Sequence, residues 1–419
     1  MTTLATLIGL LSLATLSFAQ PQRLTLADAE ALAVRNHPAL AAARLMAEAQ
    51  AQVPRQVRSA YTPQVGIGVS GVAASERARI GAGLFTNPLI LSRAGFGGNF
   101  SQLLYDGGRT KLLAESATAR AKGEAETAHV TRAQVLLQVR QAYFLALRAQ
   151  TALRLVALLP AVPAPTDESS KSRLDALSAE IAAAEAKLKI SQARHEAQAA
   201  QADLAVAVGQ TRPADWVLEE PPAPGPLPAD SQSLLAIAIR QRPEIAVRRR
   251  ELEAAQSMVA AEGKLTKPSV SGFGVAGVVP AHVAGYEKDY YAAAGLALNL
   301  NFLNGGLFAA RRTEAALRAR AAEQRLKELE NRLAREVSVA FFNAENAFDR
   351  LSLSNLFLKR AGLSLELAQA RYDRGLCTPA ELNQAQLSKG TAELQQASAR
   401  YDYASQTAAL SFQLGSDFN

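Results

Sequence analysis

The spacing of apolar positions runs from helical to alternating and back to helical, and then does so a second time. Apolar residues recur at helical spacing from Leu26 to Asn36, His37-Pro38 interrupts, and a second helical run continues to about Ser59. Thr25 and Asp28 are placed to cap the first turn. Ala60-Tyr61-Thr62-Pro63 ends the run, since proline disfavours helix for the residue before it. Beyond Pro63 the period drops to two. Val65, Ile67 and Val69 alternate with Gln64, Gly66, Gly68 and Ser70. A loop containing Gly and Pro follows (about 74–92), and then Phe96, Gly98 and Phe100 alternate with Gly97, Asn99 and Ser101. Tyr105-Asp106-Gly107-Gly108-Arg109 returns the chain to helical spacing, glycine tolerating the φ values that a strand-to-helix turn needs.

The second pass keeps the order. Pro38 and Pro63 recur at one constant offset as Pro243 and Pro268. Ser271, Phe273 and Val275 alternate with Gly272, Gly274 and Ala276, and Leu296, Leu298, Leu300 and Phe302 with Ala297, Asn299 and Asn301. Phe302-Leu303-Asn304-Gly305-Gly306 repeats the glycine turn. Leu326, Leu329, Leu333, Val337, Ala340, Ala344 and Ala347 then alternate spacings of three and four, a coiled-coil seam. A helix from Gly306 to Tyr372 has a length of roughly 100 Å at 1.5 Å per residue, which a globular domain has no use for. Return helices end at Gly209 and Gly415, the former read as a C-cap.

The sequence therefore predicts a leader over 1–19 and a first repeat over 20–210. That repeat has strands at about 63–74 and 93–105 and a helical hairpin at about 107–209. A Pro-rich linker over 211–231 precedes a second repeat over 232–419, with strands at about 268–279 and 291–303 and a hairpin at about 305–415. The copies are offset by 198 along the long helices and by 206 along the return helices, which makes the first reversal eight residues shorter.

Each strand is about ten residues long with one apolar and one small or polar face, the dimensions of a transmembrane β-strand. Four such strands cannot close around an aqueous interior, and open edges in lipid leave backbone groups unpaired. Either the strands are soluble or several chains pool them. In the pooled case the fold class is an α+β membrane protein with a tandem repeat of helix, strand, strand, long helix and helix. Three chains give a twelve-stranded β-barrel continued by a helical tube.

Composition narrows the chemistry. Half of the residues are apolar (49%) but only 6% are aromatic, a mixture suited to long, closely packed helices. The net charge of +7 is spread among interspersed acids and bases, without a basic block, so nucleic acid is not an expected partner. Leu4 to Leu16 followed by Ser17-Phe18-Ala19 reads as an export leader with its cleavage site. The single cysteine, Cys377, forms no disulfide within the chain, and the four histidines lack ligand spacing. No metal or cofactor is expected. Neither a Ser/His/Asp arrangement nor a P-loop is present, and Gly95-Phe96-Gly97-Gly98 sits inside an alternating strand, so an enzyme is not expected.

Over nearly the whole mature length the chain resembles the outer-membrane efflux proteins, the TolC-like trimeric exit ducts. The resemblance rests on Leu26-x-x-Ala29, Asn36-His37-Pro38-x-Leu40, Ala60-Tyr61-x-Pro63, the Tyr105 to Arg109 turn, Arg371-Tyr372-x-x-Gly375 and Leu410-x-x-x-x-Gly415. It implies a homotrimer in bacterial outer-membrane lipid, extending into the periplasm as a helical barrel. It also implies a duct of a tripartite efflux or type I secretion system, opened by a periplasmic adaptor (membrane fusion) protein that links it to an inner-membrane pump. Arg371, Tyr372 and Gly375, with Arg374 and Leu376 beside them, fall on the family's periplasmic tip, where the gate lies and the adaptor docks. The first reversal lacks that motif. Glu381 and Asp175, early in the return helices, are read either as acidic rings inside the tube or as favourable charges at helix N-termini. The turn glycines Gly107, Gly108, Gly305 and Gly306 mark the membrane boundary. The competing reading is a soluble periplasmic coiled-coil adaptor or scaffold protein.

Overall fold

The computed structural model of the protein describes residues 22–72, 93–158, 170–212, 215–225, 227, 231–278, 290–300 and 303–415. The expected leader, the loops joining the expected strand pairs and the first helix reversal lie outside the described residues. Helix α1 (Leu26–Asn36) starts at the expected cap: the Asp28 amide donates to Thr25 Oγ1 at 3.1 Å, and the Thr25 amide is held by the Asp28 carboxylate. Helix α2 (Pro38–Arg58) follows, and a single 3-10 turn (Ser59–Tyr61) leads into β2 (Gln64–Val72). Then come β3 (Arg93–Tyr105), α3 (Arg109–Ala157) and α4 (Ser170–Ala207). The second copy has α5 (Ser231–Gln241), α6 (Pro243–Glu262), β5 (Ser269–Val278), β6 (Tyr290–Asn299), α7 (Leu307–Tyr372) and α8 (Pro379–Leu414). Strand β6 stops at Asn299, so Leu300 and Leu303, expected to extend it, lie past its end.

Two short strands were not foreseen. β1 (Gln22–Leu24) precedes α1, and β4 (Trp216–Leu218) lies within the stretch expected to be a linker. They pair in parallel, Leu24 opposite Leu218.

The compact units cut across the sequence repeats. One gathers Met1–His37, Val135–Leu227 and Phe342–Ala409, and the other Pro38–Gln134, Pro228–Phe341 and Leu410–Asn419. In the first unit the buried Tyr143 hydroxyl lies 2.9 Å from the Leu24 carbonyl and 2.6 Å from that of Glu219. Burial is the main reason that its pKa is pushed up to about 12. Gln150 donates to the Trp216 carbonyl, Tyr401 to Glu220 and Tyr403 to the Gly225 carbonyl. Side chains of α3 and α8 thus engage the carbonyls of Trp216, Glu219 and Gly225, and the expected linker is a bound strap.

The second unit holds a four-stranded sheet in the order β2-β3-β5-β6, every neighbouring pair antiparallel. Ser116 of α3 donates to the Ala254 carbonyl of α6 at 2.8 Å, and Leu326 packs on a core of Ile245, Leu329 and Leu333. The seam read from the sequence is buried along α7 at Leu329, Leu333, Val337, Ala340, Ala344 and Ala347. Arg242 is buried, but its charge is paired with Glu244 and Glu336 and its guanidinium lies 5.0 Å from the Phe412 ring centre.

Candidate functional site

The site begins with the two faces of the sheet. Directly opposed residues of antiparallel strands share a face. Val65, Phe100, Gly274 and Ala294 therefore line up on one side, as do Val69, Phe96, Val278 and Tyr290. The other side carries Gly66, Asn99, Val275 and Ala293, and beside them Ser101, Phe273 and Gly295. On the first face Val65, Ile67, Val69 and Leu296 are 76%, 75%, 80% and 72% exposed. Removing a side chain of that size from water is worth about 1.5–3 kcal/mol. Beyond Arg93 at the start of β3, none of the four strands contains a charged residue.

Strand β5 departs from the simple expectation. It alternates as read, but while Val270 and Val278 stay on the face of Leu298 and Val69, Phe273 and Val275 join the small and polar face. Glycines make room for them: a Cβ on Gly295 would lie 2.7 Å from the Phe273 ring, and Gly277 likewise underlies Tyr291. Among the described residues, β2 pairs only with β3 and β6 only with β5, so the sheet has two open edges.

Each outer strand pair hands over to a long helix at a glycine turn. Gly107 and Gly108 have φ of 67° and 83°, and Gly305 and Gly306 of 58° and 83°, so both copies use the left-handed region that glycine adopts without penalty. The polar groups around them differ. Asp106 accepts hydrogen bonds from the Gly108 amide (3.0 Å), the Thr110 amide (2.6 Å) and the Tyr61 hydroxyl (2.7 Å). Partial burial would raise the Asp106 carboxyl, but the bonds from Thr110, Tyr61 and Gly108 outweigh it and hold the group below the ordinary aspartate range. Burial and the neighbouring carboxylate push Tyr61 up to about 12. In the second turn Asn304 offers its carbonyl to the Leu307 amide, and among the described residues its side chain makes no hydrogen bond. Sequence reading singled out the glycines and missed the Tyr61–Asp106 pair. The signal was an aspartate directly ahead of the glycines, a typical capping position.

The reversal after α7 is a Schellman motif. The Leu376 amide donates to the Arg371 carbonyl (2.8 Å) and the Gly375 amide to that of Tyr372 (2.9 Å), with Gly375 at φ 69°. The Arg371 guanidinium reaches the Leu376 carbonyl at 3.3 Å. Tyr372, Arg374 and Leu376 are exposed. Glu381 forms a capping box with Thr378: its carboxylate accepts from the Thr378 amide at 3.0 Å, and its own amide donates to Thr378 Oγ1 at 3.3 Å. The Thr378 amide is the chief cause that keeps the Glu381 carboxyl below its usual value. Asp175 falls on α4, and its side chain lies outside the described residues. Arg371, Tyr372, Arg374, Gly375, Leu376 and Glu381 thus come together at one reversal. Among the described residues no group of His, Cys, Asp and Glu has a metal-binding arrangement, and no helix is long and apolar enough to cross a membrane.

The family pattern described as Outer membrane efflux protein matches residues 31–159 and 234–416. No curated protein sequence matches the chain. Among solved structures, the open state of the MtrE outer membrane channel of Neisseria gonorrhoeae has a TM-score of 0.73 at 21% identity, over 93% of this chain and 88% of that one. The outer membrane protein VceC of Vibrio cholerae has a TM-score of 0.70 at 20% identity, over 94% and 97% of the two chains. A membrane protein of Pseudomonas aeruginosa gives 0.72 at 21%, over 93% of both.

Proposed function

The chain belongs to the outer membrane efflux protein family, and we propose that three copies pool their four-stranded sheets into one twelve-stranded barrel that a helical tube extends into the periplasm. As a family member it is an outer-membrane efflux channel, placed in the outer membrane and reaching into the periplasm. One observation carries the trimeric reading: an uncharged sheet exposes Val65, Ile67, Val69 and Leu296 on one face and leaves both edges open. Lipid takes up the apolar face, and neighbouring copies take up the edges. The soluble adaptor or scaffold reading gives no use to that face and is not favoured.

In this reading the protein is a passive duct rather than an enzyme, and the tripartite system's periplasmic adaptor docks at the reversal that follows α7. Tyr372, Arg374 and Leu376 supply an exposed aromatic, a cation and an apolar contact on a backbone fixed by Gly375. Arg371 braces the reversal by its bond to the Leu376 carbonyl. Glu381 acts here first as a helix cap, so its carboxylate is committed to the Thr378 amide. With adaptor and pump co-expressed, Arg371→Ala and Gly375→Pro are expected to cut export at least tenfold while trimer mass and outer-membrane fractionation stay unchanged. Proline cannot adopt the positive φ of Gly375 and removes its amide donor. Full export by both variants would sink the docking role of this reversal and leave the barrel untouched.

A further inference from the structure

The early turns of α3 and α7 bring four guanidinium groups around one cavity of about 260 Å³: Arg109, Arg120, Arg311 and Arg318. Only two carboxylates share the lining. Glu262, at the end of α6 and 6% exposed, takes Arg109 at 3.0 Å and Arg311 at 2.8 Å, so one buried negative charge serves two cations. Glu314 pairs with Arg318 at 2.7 Å. Arg120 makes no ion pair among the described residues. Within the Arg109–Glu262 pair, the buried Arg109 Nε and Glu262 Oε2 both lack a hydrogen-bond partner there. An adjoining groove of about 570 Å³ shares Arg120 and Arg318 and adds the Arg248–Glu251 ion pair, Glu124 and Arg325, the last without an ion-pair partner among the described residues, so that arginines still outnumber carboxylates across the two.

The charge is therefore unbalanced in one place. Arg311, Arg318 and Arg325 are seven apart, and a straight helix drifts only about 20° per seven residues, so they stack along one side of α7. Guanidinium groups offer paired N–H donors that match a phosphate's oxygens. Leu113, Ala255, Met258 and Ala315 give the small cavity an apolar floor, which suits an anion bearing an organic group.

We propose that this arginine cavity binds a phosphate-bearing anion, either a free phosphate compound or the headgroup of an anionic phospholipid. The site is independent of the docking role given to the reversal after α7.

The test uses the purified full chain in neutral detergent at low ionic strength. One arm titrates inorganic phosphate by calorimetry and thermal unfolding; the other compares nanodiscs of phosphatidylglycerol with nanodiscs of phosphatidylcholine. The variant is Arg120→Gln with Arg325→Gln, which leaves each ion pair named above intact; Arg325→Gln alone serves if the double variant unfolds. Saturable phosphate binding, weakened at least tenfold in the variant, supports the site with a free anion as ligand. Stabilisation by phosphatidylglycerol alone, lost in the variant, supports it with a lipid headgroup. No response to either probe, or equal responses from variant and parent, overturns it.

Discussion

The two glycine turns do the same geometric job by different means. Both place a glycine pair in the left-handed region between a strand and a long helix. The first is locked from outside: Asp106 gathers two amides and the Tyr61 hydroxyl, and the Lys267 side-chain stem lies against Gly107. Among the described residues the second has only backbone bonds, from Leu307 to Asn304 and from Ala310 to Gly306, and nothing packs against either glycine. Duplication has preserved the backbone requirement and let the side-chain support diverge. Backbone conformation is what a strand-to-helix handover cannot do without.

Substitution of the glycines should separate the two turns most strongly. A side chain at either position incurs about 1–2 kcal/mol for left-handed backbone. At Gly107 a Cβ would also lie 2.6 Å from Lys267 Cβ, an overpacking that costs about 1–3 kcal/mol more. Gly107→Ala should therefore lower the midpoint of denaturant unfolding clearly more than Gly305→Ala. Equal losses would mean that Lys267 yields freely and that the two turns are energetically alike.

A smaller effect separates the caps. Asp106→Ala should cost about 0.5–2 kcal/mol, the usual range for a lost N-terminal cap. Asn304→Ala should fall near the low end, since only its backbone is engaged. The Asp106 contribution also carries a pH signature. Its folded pKa is depressed, so the stabilisation is present above the ordinary aspartate value and is lost as pH falls below about 4. Acid unfolding measured for the parent and for Asp106→Asn should converge there, and a constant gap down to pH 2 would remove the carboxylate from the account.

Periodicity made most of the architecture legible. The switch from period two to helical spacing located β3, α3 and α7, and the three-four spacing of Leu329 through Ala347 marked the buried seam of α7. What escaped was non-local. β1 and β4 are three residues each, too short for any period to register, and they exist because Tyr143, Gln150 and Tyr403 satisfy the strap's carbonyls. The side taken by Phe273 was equally hidden, because it depends on register with Gly295 on the next strand. At the reversal after α7, the sequence showed the glycine and the arginine, but the capping box of Thr378 and Glu381 shows what the glutamate holds.

In the proposed trimer the open edges of β2 and β6 meet between copies. With Cys377 replaced by serine, single cysteines at 66, 68 or 70 of β2 can be combined with single cysteines at 293, 295 or 297 of β6, and the outer-membrane fraction oxidised. At least one pairing is expected to give a covalent species of three chains on denaturing gels, without added cross-linker. Monomers throughout the scan, from a chain that still fractionates with the outer membrane, would contradict it.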